Sequence, residues 1–539
     1  MTDLDRFTTD TAGLTEVTRP RLMRLPAGDS LDLDIGPVRK NLDGATLRML
    51  AYNGSIPGPT LHVEQGSQLT VRTRNDGDVE ATVHWHGLRL ENRYDGVPHE
   101  TQEPIPVGGS YSCQIEFPDA GFYWYHPHIR EDFAQEMGLY GTIVVEPTDP
   151  AYWPAVDRQL TLTLDDLLIE DGQIAPFHRS GPDFTAMGRF GNVLLINGET
   201  SFSGAAAVGE VVRLYLVNTA NTRLFNFAVR GASAKLVGGD SGRYERETFV
   251  EEVLLAPSER AVLDVLFDTE GEVRLEHRTP DRVYDLGAFT VAPADGGGEA
   301  AASFPTLRLD PELTAERRSM QHDLERPPDK VLAFFSRMPL LYGADDQTAS
   351  FYACPMHPGV TATAPGSCPQ CGMKLVPSTA APEDGDQPES GDLTGHGHGD
   401  GLEWEDLMPQ INRASDPSNM IWQLIDRETG AENAAINWAF TVGDRVKIRL
   451  VNEMDSDHPM HHPFHIHGAG RFLILSRDGE PEPNLVWKDT VLVRAGQTVD
   501  ILLDVSNPGL WMAHCHIAEH AESGMMFSFN VARKPEPVR

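Results

Sequence analysis

A strand-length pattern occurs three times in this chain and constrains its fold more than any other feature. Each copy opens with glycine, alternates apolar and polar residues, and closes with asparagine nine residues later. The copies are residues 66–75 (GSQLTVRTRN), 209–218 (GEVVRLYLVN) and 443–452 (GDRVKIRLVN). Alternation of this kind predicts a half-buried β-strand, and recurrence of the same unit indicates repeated domains. We therefore expect three β-domains of one kind.

Turn residues support the same fold class. Gly, Pro, Asn and Asp punctuate strand-length segments along most of the 539 residues, which is typical of β-sandwiches and β-barrels. Residues 378–402 are too rich in Gly, Pro and acidic residues to bury a core, and we expect a flexible tether there. The predicted organisation is an N-terminal extension at 1–29, β-domains at 30–150, 151–295 and 296–535, and, inside the third domain, an insertion at 351–377 and the tether at 378–402.

Residues that bind soft metals concentrate near the C-terminus. His514, Cys515, His516, His520 and Met525 fall within twelve residues. Because side chains alternate faces along a strand, Cys515 points one way while His514 and His516 point the other. Two histidines, one cysteine and a weak axial methionine form the blue-copper pattern, and His520 and Met525 follow the cysteine at a suitable spacing. The segment therefore predicts two metal sites joined through one cysteine.

Three further histidine doublets lie in HWHG at 84–87, HPH at 126–128 and HHPFHIHG at 461–468. Each doublet on a strand places both imidazoles on one face, and four doublets supply eight ligands, enough for three metal ions with open positions. His462 then completes the blue-copper site. The matching place in the second repeat, residues 227–231, has no histidine, and for His277 we expect a solvated or capping role. The first and third domains should carry the chemistry together.

Charge and cysteine content exclude several classes of protein. The net charge of −36 repels nucleic acid, and no stretch approaches the roughly 18 apolar residues of a membrane span. Five cysteines are too few for a disulfide framework, and Cys113 lies in a strand-like alternation as an inert core thiol. The first ten residues lack an export signal. We expect a soluble, cytoplasmic chain as given, with export of a longer precursor as the alternative.

The four histidine motifs, in this order on a threefold repeat, resemble those of the multicopper oxidases: laccases, bacterial cuprous oxidases and bilirubin oxidases. The resemblance implies three cupredoxin domains and four copper ions. Carried over position by position, it implies type 1 copper at His462, Cys515, His520 and Met525, type 2 copper at His84 and His465, one type 3 ion at His86, His126 and His516, and the other at His128, His467 and His514.

The mechanism that the resemblance implies moves one electron at a time. Each electron would cross Cys515 into His514 and His516, and the three-copper cluster would collect four before reducing O2 to two waters. Asp95 matches the family's acid near the cluster, with an Asp-Gly turn as the competing interpretation. Many bacterial members carry a glutamate directly after the last type 1 histidine, where this chain has Ala521 between Glu519 and Glu522.

The insertion is a second departure from the family pattern. It resembles the small heavy-metal-binding module of bacterial metal-efflux proteins, with candidate ligands Cys354, His357, Cys368 and Cys371. A set of three cysteines and one histidine suits zinc, whereas Met356 and Met373 would suit Cu(I). A purely structural zinc knuckle is the competing interpretation.

These motifs leave three classes of function to compare. The favoured one is an oxidase that uses O2 and a one-electron reductant, either Cu(I) for metal tolerance or phenols in the laccase manner. A copper-storage protein ranks below it because storage does not require a bridging cysteine, and a copper nitrite reductase needs no type 3 pair. The inserted module and the GHGHG tract at 395–399 favour a metal substrate. The sequence has no long Met-rich segment to cover the type 1 site, so phenol oxidation stays open as the alternative. We expect a monomer that binds no nucleic acid and does not insert into membranes.

Overall fold

The computed structural model describes residues 6–294, 298–342, 351–354, 359–369, 373–378 and 400–534. β-strands dominate, and the large sheets form three pairs, each enclosing an apolar core. The predicted all-β class, three cupredoxin-like domains with a small metal-binding insertion, is confirmed.

The first domain contains nine strands and one short helix among the described residues. These are β1 (Leu22–Arg24), β2 (Ser30–Leu42), β3 (Ala45–Tyr52), β4 (Thr60–Glu64), β5 (Gln68–Asn75), β6 (His84–His86), β7 (Ser110–Glu116), β8 (Gly121–His126), α1 (Glu131–Ala134) and β9 (Gly141–Glu146). A four-stranded sheet of order β3-β2-β5-β7 faces a five-stranded sheet of order β1-β4-β9-β8-β6. Because β1 pairs with β4 in parallel, part of the N-terminal extension belongs to the first domain.

The second domain repeats this arrangement with longer strands. They are β10 (Arg158–Leu167), β11 (Ile169–Glu170), β12 (Gln173–Ile174), β13 (Val193–Ile196), β14 (Phe202–Ala207), β15 (Glu210–Asn218), β16 (Phe225–Arg230), β17 (Ser233–Gly239), β18 (Gly242–Val250), β19 (Glu252–Leu255), β20 (Arg260–Phe267), β21 (Gly271–Arg278) and β22 (Val283–Ala292). The sheets have the orders β13-β10-β15-β20-β17-β18 and β14-β22-β21-β16-β19, with β11 and β12 as a separate hairpin.

Three helices that the sequence analysis did not predict connect the second and third domains. They are α2 (Glu299–Ser303), α3 (Pro311–Ser319) and α4 (Gln321–Glu325). The start of α3 has a clear local cause. The Asp310 side chain accepts hydrogen bonds from the backbone N–H groups of Glu312 and Leu313. Pro311 suits the first helical position because it has no N–H that would be left without an acceptor.

The third domain contains the remaining elements. They are β23 (Lys330–Arg337), α5 (Pro339–Tyr342), β24 (Phe351–Ala353), β25 (Thr361–Ala362), β26 (Val376–Ser378), α6 (Pro409–Arg413), β27 (Ile421–Asp426), β28 (Ala439–Thr441), β29 (Arg445–Asn452), β30 (His462–Ile466), β31 (Gly470–Arg477), β32 (Glu480–Pro481), β33 (Thr490–Val493), β34 (Thr498–Val505), β35 (Gly509–Cys515), α7 (Ala518–Glu522) and β36 (Met526–Ala532).

The sheets of the third domain have the orders β27-β23-β29-β34-β31-β32 and β28-β36-β35-β30-β33. The insertion forms its own three-stranded sheet, β25-β24-β26, between the neighbouring strands β23 and β27. Of the tether, residues 379–399 lie outside the described part, while Leu402 is buried in a small cluster with Leu224, Ala256 and Leu492. No helix among the described residues is long and apolar enough to span a membrane.

The closing asparagine of each repeat donates two side-chain hydrogen bonds to backbone carbonyls in all three domains. The amide of Asn75 donates to Val79 O and Ile105 O, that of Asn218 to Arg223 O and Leu255 O, and that of Asn452 to Met460 O and Val493 O. Each asparagine is buried at the end of a central strand. The repeat therefore conserves a clamp that ties the strand end to two loop or strand carbonyls.

The second domain has an apolar strand where the other two have ligands. β16 lies between β19 and β21, as β30 lies between β33 and β35, but it carries Phe225 and Phe227 in place of histidines. The predicted solvated or capping role for His277 was wrong. This histidine is fully buried on β21 opposite Phe227, its ring stacks on Tyr284, and burial lowers its pKa to about 3.

The asparagine clamp can be tested in the second domain, where no ligand histidine interferes. We expect Asn218→Ala to lower the free energy of unfolding by about 3 kcal/mol, because two buried carbonyls lose their donor. Asn530→Ala, at an exposed position of β36, is the control and should change it by less than about 0.5 kcal/mol. Calorimetric unfolding of both variants measures the difference, and equal values would contradict the clamp.

Candidate metal centre

Eight histidines from the first and third domains meet at one buried place. β6 carries His84 and His86, β8 ends at His126, β30 carries His465, and β35 carries His514, while His128, His467 and His516 follow these strands directly. The two domains are in direct contact here, since the rings of His86 and His465 stack with centroids 3.8 Å apart. All eight predicted doublet histidines are thus brought together.

Hydrogen bonds at the outer ring nitrogen determine the tautomer of six of these histidines. A carbonyl or carboxylate oxygen can accept but not donate, so the ring nitrogen beside it must carry the proton. The other ring nitrogen of a neutral imidazole then holds a lone pair. The Nδ1 atoms lie at His84 to Asp95 O (2.7 Å), His126 to Pro127 O (2.8 Å), His465 to Asp489 O (2.9 Å), His514 to Cys515 O (2.8 Å), His467 to Asp95 Oδ2 (2.8 Å) and His128 to Glu131 Oε1 (2.9 Å).

The resulting lone pairs converge. Nε2 of His467 lies 3.1 Å from Nε2 of His514 and 3.3 Å from Nε2 of His128, and in the neutral rings of His467 and His514 neither Nε2 carries a proton. Nε2 of His84, His126 and His465 has no hydrogen-bond partner among the described residues. Buried acceptors facing one another in this way are unfavourable unless a cation lies between them. The donor set therefore fits a cluster of imidazole-binding metal ions.

His86 is oriented the opposite way from the six histidines just described. Its Nε2 donates to Asp489 Oδ1 at 3.0 Å and lies 3.1 Å from Thr490 Oγ1, which leaves Nδ1 as the inward lone pair. Nδ1 has no partner among the described residues, and the same holds for both ring nitrogens of His516.

Burial keeps most of these imidazoles neutral, as metal binding requires. It lowers the pKa of His516 to about 4 and, together with His84, that of His467 to about 3. His128 is the exception. Burial also lowers its pKa, but the adjoining Glu131 carboxylate outweighs burial and raises the pKa to about 9. A metal ion at His128 must therefore displace a proton.

The second site lies on the opposite face of β35. Cys515 Sγ is 3.4 Å from His462 Nδ1 and 3.7 Å from His520 Nδ1, so the three atoms could share one ion. The backbone N–H of Ile517 donates to the sulfur at 3.4 Å. Burial raises the pKa of the Cys515 thiol, so that the thiolate needs a cation beside it.

The surroundings of the second site are apolar and rigid. Met525 is fully buried, and its backbone N–H donates to His520 O at 3.1 Å while its carbonyl accepts from Cys515 N at 3.1 Å. These bonds hold the loop of Met525 against both ligands. The rings of Trp422 and His520 stack with their centroids 4.0 Å apart, so the indole covers one face of this histidine.

Asp95 lies in an Asp-Gly turn and also contacts two histidines of the cluster. It follows a 3₁₀ turn at Asn92–Tyr94, and Gly96 has the positive φ that an Asp-Gly turn uses. At the same time its carboxylate accepts from His467, and its carbonyl accepts from His84. Burial would raise the pKa of Asp95, but the two histidines outweigh it and hold the pKa below its usual range.

Several residues at the site were missed from the sequence. Glu131, three residues after the HPH motif, holds His128, and Asp489 holds His86. The spacing of an acid just beyond a histidine doublet was the available signal for Glu131, whereas nothing local marks Asp489. The carboxylate of Glu522 accepts the Glu131 N–H at 2.8 Å, and burial with the neighbouring Asp132 raises the pKa of Glu522 to about 8.

The inserted module packs into the apolar core of the third domain. Cys354 and Cys368 are buried in the same apolar cluster as Cys515 and Trp422. Lys374 pairs with Asp457 at 3.1 Å, five residues before His462. The other two candidate ligands, His357 and Cys371, lie outside the described residues.

A Cys–His–His site whose cysteine lies between two histidines of an eight-histidine cluster defines a copper-dependent oxidoreductase. Family models described as multicopper oxidase match residues 35–150 and 407–535, and a heavy metal binding domain model matches residues 351–378. The chain belongs to the multicopper oxidase family and carries a heavy-metal-binding module.

Individual relatives agree with this family. A copper resistance protein A homolog from Pseudomonas syringae is 24% identical over 571 residues, which cover 93% of this chain and 92% of the relative. A solved multicopper oxidase from Campylobacter jejuni has a TM-score of 0.64 and 22% identity, covering 98% of this chain and 99% of its own. A laccase-like multicopper oxidase from an Ochrobactrum species has a TM-score of 0.66 and 21% identity, covering 96% and 100%.

The cysteine at the second site provides a direct test of the geometry. We expect Cys515→Ser to abolish the blue thiolate-to-copper absorption of the copper-loaded protein, because serine offers no soft ligand. The eight-histidine cluster should still bind copper, since its ligands are unchanged. Cys113→Ser, a buried cysteine in the first domain, is the control and should keep the blue colour. Absorption spectra with metal analysis decide the outcome, and a blue Cys515→Ser protein would contradict the assignment.

Proposed function

We propose that this oxidase couples four one-electron oxidations of its substrate to the reduction of O2 to two waters. The observation that carries the proposal is the convergence of eight buried histidines from two domains, directly connected through the backbone to the cysteine of a second site. A storage protein has no need for this connection. Because all eight histidines come from one chain, we propose a monomer.

We assign four copper ions to these positions. Type 1 copper would be held by His462, Cys515, His520 and Met525, type 2 by His84 and His465, one type 3 ion by His86, His126 and His516, and the other by His128, His467 and His514. Copper bound there supplies one-electron oxidation at the first position and O2 reduction at the other three.

Residues of the protein keep substrate oxidation apart from O2 reduction and provide the paths for electrons and protons between them. Cys515 is covalently linked to His514 and His516, so electrons have a direct path while the substrate stays on the far face of β35. Asp95 and Glu131 accept the outer N–H groups of His467 and His128 and keep both rings in place. Glu522, whose pKa is about 8, retains a proton at neutral pH beside Glu131. This carboxyl supports proton supply in a chain that has Ala521 at the family's glutamate position.

For the substrate we propose Cu(I). The heavy-metal-binding module shares the apolar cluster that contains Cys515, and the ion pair between Lys374 and Asp457 ties it to the segment that leads into His462. Soft cysteine ligands held there would raise the local concentration of Cu(I). Relatives of the chain include copper resistance proteins, and a metallo-oxidase is among the similar solved structures. A phenol is the second candidate, because the Ochrobactrum enzyme is described with oxidase activity towards lignin model compounds.

Replacing a cluster histidine should separate the two half-reactions. We expect His128→Ala to keep the blue absorption and its bleaching by reductant, because Cys515, His462 and His520 are untouched. Oxygen consumption should fall at least about 100-fold, in line with the loss of a metal ligand. Anaerobic reduction followed by exposure to O2 measures both steps. A His128→Ala protein without blue colour would show that the ligands are wrongly divided between the sites.

The role of the inserted module can be tested with its two described cysteines. We expect the double variant Cys354→Ser/Cys368→Ser to raise the KM for Cu(I) while phenol oxidation and the blue spectrum change little, because no ligand of the four assigned copper ions is altered. Oxygen consumption at varied Cu(I) and at varied phenol gives both constants. Cys113→Ser controls for loss of a buried thiol.

A structural zinc knuckle predicts a different result. Metal binding would then contribute folding free energy, so the double variant should lose thermal stability and activity toward both substrates equally. That outcome, with tightly bound zinc in the purified protein, would rule out Cu(I) delivery by the module.

A further inference from the structure

Arg260 belongs to the second domain, which supplies no histidine to the cluster, yet it contacts a residue that holds two of the cluster histidines. It begins β20, is fully buried, and forms a two-point ion pair with Asp489 of the third domain. Nη1 lies 2.7 Å from Oδ1 and Nη2 lies 2.5 Å from Oδ2 of that carboxylate. Asp489 in turn accepts Nε2–H of His86, and its carbonyl accepts Nδ1–H of His465. A single residue, Asp489, therefore separates the guanidinium from two histidines of the cluster.

The remaining donors of Arg260 bind carbonyls of the first and second domains. Nε donates to Phe122 O in the first domain at 3.1 Å, Nη1 to Ser258 O at 3.0 Å, and Nη2 to Asp240 O at 3.2 Å. All five N–H groups are thus used, and they contact all three domains. A planar fork with its donors satisfied holds its partner carboxylate in one orientation.

Gly87 shows that the space around this pair is fully used. Its φ is +85°, and a Cβ built there would lie 2.5 Å from Asp489 Oδ2 and 2.7 Å from Arg260 Nη2. Gly66 has nearly the same φ, +80°, but nothing lies within 4 Å of its Cβ position. The glycine after the first histidine doublet therefore allows the ion pair to approach His86.

We propose that Arg260 is a positioning residue for the three-copper cluster, acting through Asp489 to orient His86 and His465. The fork holds the carboxylate, and the carboxylate holds the proton of His86 on Nε2. His86 must then offer Nδ1 to copper, whereas the six histidines whose Nδ1 atom is hydrogen-bonded can offer only Nε2. The second domain thus contributes to the cluster without supplying a ligand. This inference rests on the proposed copper assignment.

The chain offers a matched control for the pair. Arg213 and Asp264 form an equally buried two-point pair within the second domain, with distances of 2.7 Å and 2.9 Å, and Asp264 contacts no cluster histidine in the described structure. Arg260→Lys and Arg213→Lys each keep the charge but lose the fork. Loss of stability should be similar in the two variants, so a difference at the cluster reports positioning.

We expect Arg260→Lys to weaken copper binding at the cluster about 10–100-fold, as loss of a partner behind a ligand does, and to increase the share of bound copper that is EPR-detectable because the type 3 pair is no longer coupled. The blue absorption should stay unchanged. Arg213→Lys should match the wild type in both measurements. Anaerobic copper titration of the metal-free full chain and EPR of the loaded protein are the readouts.

Two outcomes would overturn the proposal: copper affinity and EPR signal of Arg260→Lys that equal those of the wild type, or equal changes in Arg213→Lys. If Arg260→Lys does not fold, Gly87→Ala and Gly66→Ala decide instead, since both strain the backbone but only the first displaces the ion pair. A selective change in Gly87→Ala supports the proposal and equal behaviour overturns it. A wild-type protein without an EPR-silent copper pair would instead refute the copper assignment itself.

Discussion

The mutual repulsion of buried imidazole lone pairs is the constraint on which the rest of this structure depends. Nε2 of His467 lies 3.1 Å from Nε2 of His514 and 3.3 Å from Nε2 of His128, and the outer nitrogens of all three rings are engaged as donors. A proton on His128 or a bound metal ion relieves this repulsion, and the fold must supply enough packing to hold the ligands in place before metal arrives. The strand pairs β6 with β8 and β30 with β35 supply that rigidity, because each ligand lies on a strand or within two residues of its end.

Acceptors behind the histidines complete the arrangement. Backbone carbonyls serve four of them, which costs no buried charge, whereas Asp95, Glu131 and Asp489 place carboxylates behind three others. A carboxylate both fixes the tautomer and strengthens the ring as a ligand. It also needs compensation, since an isolated buried charge is costly. Asp489 obtains that compensation from Arg260, and this explains how a domain without ligands became part of the centre.

The inserted module adds a second kind of metal chemistry to the same domain. Its position between β23 and β27 follows from sheet connectivity, because the two strands are neighbours and the chain between them can be extended without breaking the sheet. The ion pair of Lys374 with Asp457 then joins the module to the segment that leads into His462.

The sequence by itself determined the fold class and predicted which histidines and which cysteine the fold brings together. Alternation places His514 and His516 on one face and Cys515 on the other, and the threefold repeat with its closing asparagines specifies the domains; both signals are local and have a fixed period. Tertiary structure alone decided how the ligands are held. That Asp489 lies behind His86, that Arg260 lies behind Asp489, and that His277 is buried depend on contacts between strands far apart in sequence, for which no local spacing exists. The tautomer of each histidine was likewise undetermined until its acceptor was in place.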